Sequence, residues 1–287
     1  MPTPLIMTKC HLLLFIVAVL SLPACKPSPR GPSLSEYGER SEATVRTWFE
    51  SYVAALHTLP REEAFARQEN LMRETDADSA RWQQIVRLQE IFLMDPDSPY
   101  RSEELFIPVL DAQLASPLAT EEQRLHAAWM SPRIRLNRPG TPAADFAFTT
   151  RDGRPHTLYE TIDRLKPDRT LLFFSNPGCA NCREITEALA ADPLVRAHIA
   201  DGRLLVISLY PDADLQAWFD SLSDYPEEWI CGYDPDGLLL SDTVYWLRAI
   251  PSLYLIDGQK RVVLKDAPLR RIISSLSRHP ADTAGTG

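Results

Sequence analysis

Two cysteines, Cys179 and Cys182, stand three residues apart behind an apolar run, in the stretch FFSNPGCANCRE at residues 173–184. A Cys-x-x-Cys pair forms a redox dithiol, supplies half of a zinc site, or closes a small structural disulfide. Thiol exchange needs a thiolate. A cysteine in the first turn of a helix meets unpaired amide N–H groups and the positive end of the helix dipole, and both favour the thiolate. Cys179 has that place if a helix starts here. Cys182, one helical turn later, reaches the same sulfur and displaces a partner from a mixed disulfide. Cys179 is therefore the candidate attacking nucleophile and Cys182 the candidate resolving thiol. Pro177 and Gly178 allow a sharp turn into the helix, and Arg183 adds positive charge beside it.

The second half of the chain carries the elements to hold such a pair. Asp145 to Phe148 reads as a short strand before an Asp152-Gly153 turn, Thr170 to Ser175 as a buried strand, and Cys182 to Ala191 as a helix. Arg203 to Tyr210 is a second buried strand, with a helix over Ala213 to Leu222. Pro251 to Ile256 and Arg261 to Lys265 flank an Asp257-Gly258 turn, and a last helix runs from Pro268 to Arg278. This order predicts a mixed α/β sandwich around a central sheet. Cys231, in Glu228-Trp-Ile-Cys231-Gly-Tyr, reads as a buried thiol on a short strand, with pairing to the dithiol as the alternative.

Ahead of Arg138-Pro139-Gly140-Thr141-Pro142 the pattern is helical. Val45, Trp48, Phe49, Tyr52, Val53 and Leu56 make one buried stripe. Arg61 to Glu74 carries a weaker stripe through Phe65 and Leu71, and a helix from Ser79 carries Trp82, Ile85, Val86 and Leu93. Two more lie around Leu105 to Leu114 and from Thr120, where Thr120 and Gln123 match a capping box in front of Leu125 and Trp129. The aromatic residues are expected in the core, and His57 and His126 have no second ligand at helical spacing. The chain thus reads as an α+β protein of two domains: an all-α helical region at 41–138 and an α/β sandwich at 139–280, with a disordered tail at 281–287.

The beginning of the chain supplies a place for this chemistry. Lys9 precedes an apolar run from Leu12 to Leu22, too short for a membrane span, which predicts an export signal over residues 1–24. Leu22-Pro23-Ala24-Cys25 resembles the lipobox of bacterial lipoproteins, and the resemblance implies a lipid on Cys25. Residues 25–40, rich in Pro and Ser, are expected to form an extended tether. Cys10 would leave with the leader, so Cys179, Cys182 and Cys231 remain for thiol chemistry, in a compartment that sustains disulfides. The net charge of −9 and the lack of a basic cluster argue against a nucleic-acid partner.

Thr170-Leu-Leu-Phe-Phe-Ser175 leading into Cys179-Ala-Asn-Cys182, with Ile250-Pro251-Ser252-Leu253-Tyr254-Leu255 downstream, resembles the thioredoxin-like proteins of the thioredoxin and TlpA type. The stretches DPDSPYRSEELFIPVLDAQL, GTPAADFAFTTRDGRPHTLYE and IPSLYLIDGQKRVVLKDA resemble the Bacteroides-type lipoproteins that carry a DUF5106 region. The resemblance implies a thioredoxin-like fold, a cis-proline loop at Ile250 and Pro251 that binds substrate, and a redox disulfide between Cys179 and Cys182. It also implies a membrane-tethered thiol:disulfide oxidoreductase of the periplasmic cell envelope, needing no cofactor and no metal. Its expected partners are disulfide-containing exported proteins, a membrane thiol donor, and the membrane itself through the lipid anchor.

Two positions depart from the family. Gly178 stands before the first cysteine where many thioredoxins have Trp, and Phe173 stands where they have a buried acid, which leaves Glu184 or water to move the proton of the second thiol. Other readings stay open at this point. A zinc site would need ligands from Cys231, His156, His198 or His279, which lack a second paired spacing. A peroxiredoxin-type peroxidase needs a different cysteine pattern. A non-catalytic thioredoxin-like binding module with a structural disulfide needs nothing more than the two cysteines.

Overall fold

The computed structural model describes residues 41–241 and 243–277. The predicted leader, the tether with Cys25, His279 and the tail at 281–287 lie outside those residues. Among the described residues five helices come first: α1 (Glu42–Leu56), α2 (Arg61–Thr75), α3 (Ser79–Leu93), α4 (Glu103–Ala115) and α5 (Glu121–Ile134). Their starts follow from capping side chains. Ser41, Asp78, Ser102 and Thr120 each accept backbone N–H bonds from the first turn they precede, and Thr120 with Gln123 closes the predicted capping box. The predicted stripe of α1 is its buried face. Within this apolar bundle the Gln68 and Gln89 amides bond each other at 2.9 and 3.0 Å. The Tyr52 hydroxyl donates to Gln68 Oε1 at 3.0 Å, and Gln68 Nε2 donates to the Leu105 carbonyl at 3.0 Å. Four helices are thereby tied through one satisfied polar pair.

Along α5 the outcome differs from the sequence expectation: Leu125 is 63% and Trp129 48% exposed, and the buried residues are Ala127, Met130 and Ile134. The inward stripe begins on a small alanine, so the larger side chains one face over outweighed it in the pattern.

After the boundary segment the chain builds β1 (Ala147–Thr150), β2 (Pro155–Thr157), α6 (Leu158–Leu165), β3 (Arg169–Phe174), α7 (Ala180–Ala191), α8 (Pro193–Ala200) and β4 (Leu204–Tyr210). Next come α9 (Leu215–Ser221), a 3-10 turn, β5 (Ile230–Tyr233), β6 (Ser252–Asp257), β7 (Val262–Leu264) and α10 (Leu269–Leu276). The strands form one sheet in the order β2-β1-β5-β4-β3-β6-β7, with β3 parallel to β4, β4 parallel to β5, and β6 antiparallel to β3.

Side chains alternate across this sheet. Leu172, Phe174, Ile207 and Tyr254 face a core shared with Leu158 and Ile162 of α6; Leu171, Phe173, Val206 and Leu253 face one shared with Leu189 of α7, Val195 of α8 and Ile272 of α10. Gly232 on β5 is required by packing, because a Cβ there would sit 2.6 Å from the buried Phe148 ring. The boundary segment also has a structural role. Gly140 N donates to Val262 O at 2.7 Å and Ala143 N to Lys260 O at 2.8 Å, so it covers the β7 edge of the sheet.

Candidate active site

At the C-terminal end of β3 the chain leaves the sheet through Ser175, Asn176, Pro177 and Gly178 and enters α7 with Cys179 as its N-cap. Gly178 has φ +74°, a left-handed conformation that L side chains rarely adopt; a Cβ would meet nothing there, so backbone angle rather than space selects glycine. Cys179 itself caps the helix: its Sγ accepts the Cys182 N–H at 3.1 Å. The two sulfurs are joined in a disulfide, with the Cα atoms 5.2 Å apart. The pair is asymmetric in access, with Cys179 half-buried and Cys182 only 3% exposed. That asymmetry suits an attacking sulfur that meets the partner and a resolving sulfur that waits behind it.

The register of β6 on β3 sets Ser252 against Phe174. One step beyond that pair lie Pro251 on one strand and Ser175 on the other, and the Ile250–Pro251 bond is cis. Ile250 and Cys179 both pack against the cluster that holds Cys182, Phe173 and Leu253. Of the predicted site residues, Cys179, Cys182, Ile250 and Pro251 are thus gathered at one end of the sheet, and Cys25 lies outside the described residues.

Cys231 takes no part in the disulfide; it is free and buried on β5, opposite Ser208. Burial pushes its thiol up to about 11, against a smaller opposing influence of Arg151. Arg151, Trp229 and Cys231 line a cleft of about 710 Å³ between the β1–β2 turn and the start of β5. Among the described residues no three His, Cys, Asp or Glu side chains gather as a metal site requires. His57 bonds the Tyr100 carbonyl through Nε2 at 2.8 Å, and His126 stacks on Trp129.

The position of the family's buried acid holds Phe173, fully buried and edge-on to Trp229 with ring centroids 6.3 Å apart. Glu184, the candidate replacement, is exposed on α7, as is Arg183. What lies buried beside Phe173 is a set of hydroxyls. Ser208 is its register neighbour on β4, and Ser175 Oγ is 3.0 Å from both Ser208 Oγ and the Tyr225 hydroxyl. Burial raises the Tyr225 phenol, with the Ser175 hydrogen bond opposing. The sequence reading missed this set. Period-two alternation puts Ser175 on the face of Phe173, a signal that was available, whereas nothing local points to Tyr225.

Superposition on solved structures decides the family. A thioredoxin-like protein from Bacteroides caccae ATCC 43185 is 35% identical to this chain, with 85% of this chain and 87% of that one covered at a TM-score of 0.76. The chain belongs to the thioredoxin-like proteins. The DUF5106 family, a domain of unknown function, matches residues 35–137 of this thioredoxin-like chain, the part that includes α1 to α5. The C-terminal domain of an uncharacterized protein from Bacteroides fragilis NCTC 9343 is 41% identical over 50% of this chain and 99% of that one, at a TM-score of 0.47. No curated protein matches this chain.

Proposed function

We propose that this thioredoxin-like protein is a thiol:disulfide oxidoreductase that reduces disulfides of exported proteins. The observation that carries the reading is Cys179 at the N-cap of α7, its sulfur accepting the Cys182 N–H, with the Ile250–Pro251 loop on the adjacent strand. The Cys179 thiolate attacks one sulfur of a substrate disulfide, the new S–S bond forms, and the second substrate sulfur leaves as a thiolate. Cys182 then attacks Cys179 Sγ and releases the first substrate sulfur. The substrate gains two electrons, and the protein is left with the Cys179–Cys182 disulfide, which a membrane thiol donor reduces again. N–H donors and the helix dipole favour the thiolate at Cys179. The Ser175, Ser208 and Tyr225 hydroxyls stand beside the position of the family's acid. Backbone exposed by the proline loop pairs with an extended substrate. The reading includes a lipid on Cys25 that tethers the chain to a membrane facing the periplasm, on the strength of the residues around that cysteine.

Insulin reduction by the chain from residue 26 onward tests the chemistry. Cys179→Ser is expected to fall to the uncatalysed background, and Cys182→Ser to accumulate a mixed disulfide visible by mass. A midpoint near about −270 mV marks a reductase and one near about −120 mV an oxidant. Reduction unchanged in Cys179→Ser removes the proposal and leaves a binding module with a structural disulfide.

A further inference from the structure

Arg248 stands two residues before Ile250, and Ser252 directly after Pro251. Both are held by charges that reach into the helical region. Arg248 Nε lies 2.8 Å from Glu103 Oε1 in the first turn of α4, and Arg248 Nη1 donates to the Met94 carbonyl at the end of α3 at 3.0 Å. Ser252 Oγ donates to Asp266 Oδ1 at 2.9 Å. Asp266 in turn meets Arg248 Nη2 at 3.3 Å, and its backbone carbonyl accepts from Arg101 Nη2 at 2.8 Å. Lys265 completes the set. Its Nζ is 2.9 Å from Glu103 Oε2 and donates to the Ile134 and Leu136 carbonyls at 2.8 and 2.7 Å, at the end of α5. Between the sheet core and the helical core the same segment is pinned by side chains: Tyr245 is buried in the first and Trp246 in the second.

These groups are costly to bury. The side chains of Glu103 and Lys265 are each 4% exposed, and Glu103 meets its two cations without a well-directed hydrogen bond to either oxygen. Burial pushes the Glu103 carboxyl up, with Lys265 opposing. A buried ion network of this kind is poor evidence of stabilisation, since an apolar replacement of the same shape often serves as well. What it supplies instead is direction. The helix ends offer orphan carbonyls and a carboxylate at fixed points, and the cations on either side of the proline loop are drawn to them.

We infer that Glu103, Arg248, Asp266 and Ser252 are positioning residues: through them the helical region holds the Ile250–Pro251 loop beside the dithiol in the geometry that docks an extended protein substrate. The inference rests on the thiol-exchange reading for what the loop binds, and on the contacts alone for what holds it. Glu103→Gln and the milder Ser252→Ala, made in the full chain, separate the two. Amide hydrogen exchange is expected to quicken at least tenfold in the peptide over residues 247–253 in both variants and to stay unchanged in β3. Toward reduction of a protein disulfide, KM is expected to rise at least fivefold, with the rate toward oxidised glutathione unchanged. Unaltered exchange at 247–253 in both variants, or equal loosening of β3, overturns the inference, as does an unchanged KM with a loosened loop. Loosening of the loop in a protein whose wild type reduces no disulfide sinks the thiol-exchange reading and leaves the positioning of the loop standing.

Discussion

In the helical region the buried glutamine amides of α2 and α3 close on one another, while around the proline loop buried charges reach from one region into the other. Gln68 and Gln89 exchange both amide bonds and take the Tyr52 hydroxyl as a third partner, all inside the bundle. Arg248 and Lys265 instead reach from the sheet region to carbonyls at the ends of α3 and α5, and Asp266 meets Arg101 just ahead of α4. Both regions bury large aromatic residues completely, so packing quality does not tell them apart. The difference lies at the element ends. Chemistry collects where a strand gives way to a loop and backbone groups lack partners, and the helical region joins it only where its own helix ends come near.

The first way to break this contrast is to cut the link in the apolar layer. Trp246 belongs to the segment before β6, yet it lies in the helical core, edge-on to Trp129 with centroids 6.1 Å apart. Trp246→Ala should destabilise the whole chain by about 3–5 kcal/mol, the usual cost of removing a large buried aromatic. Urea unfolding followed by far-UV circular dichroism and by fluorescence should show coincident transitions in wild type and variant, at a lower midpoint in the variant. Transitions that separate would mean the helices fold without the sheet.

How much of this was legible in the sequence depends on the length and locality of each element. The α1 stripe, the Thr120 capping box, the strand leading to Cys179 and the proline at β6 are each announced by neighbouring residues, and each stands where the sequence put it to within a few positions. β2, α6 and α8 went unseen. β2 has three residues, and α6 and α8 have eight each; β7 and α10, of the same lengths, were legible because the Asp257-Gly258 turn and Pro268 mark where they start. The start of α8 nevertheless had a readable signal in Asp192 followed by Pro193, a capping carboxylate before a proline at the first turn. The charge network had none, because Glu103 and Lys265 meet only after two regions have folded. The proline loop was therefore legible as a motif, and what holds it was not.

Cys231 sharpens the contrast within the sheet region, since it is the same residue type as Cys179 in the opposite environment. It sits in mid-strand with no helix end to stabilise a thiolate, and burial raises its thiol from the ordinary 9.0 to about 11. The folded chain therefore holds this proton more tightly than the unfolded chain does. The associated stabilisation is complete below pH 9 and is lost as the pH climbs to about 11, an amount of roughly 2–3 kcal/mol. Burial also raises the Tyr245 and Tyr254 phenols, so the informative quantity is the stability of wild type minus that of Cys231→Ala. By urea unfolding that difference should shrink by the stated amount between pH 8.5 and 11. A difference independent of pH would show that the thiol titrates as it does in water.

The smallest expected effect concerns the second tryptophan of the edge-on pair. Trp129 stacks on His126 and carries the Arg133 guanidinium 4.4 Å above its ring, but it is half exposed, and the buried face of α5 is made by Ala127, Met130 and Ile134. Its contacts are those of a surface cluster, where stacking and cation–π attraction are weakened by water. Trp129→Ala should cost about 0.5–1 kcal/mol, well below the change at Trp246 although the two rings touch. Because they touch, the two substitutions are not independent, and the double variant should lose less than the sum of the single losses. Urea midpoints of the two single variants and the double variant decide the point. If Trp129→Ala proves as damaging as Trp246→Ala, then the indole of Trp129 is part of the joint between the helices and the sheet, and α5 contributes through its outer face as well as through the carbonyls at its end.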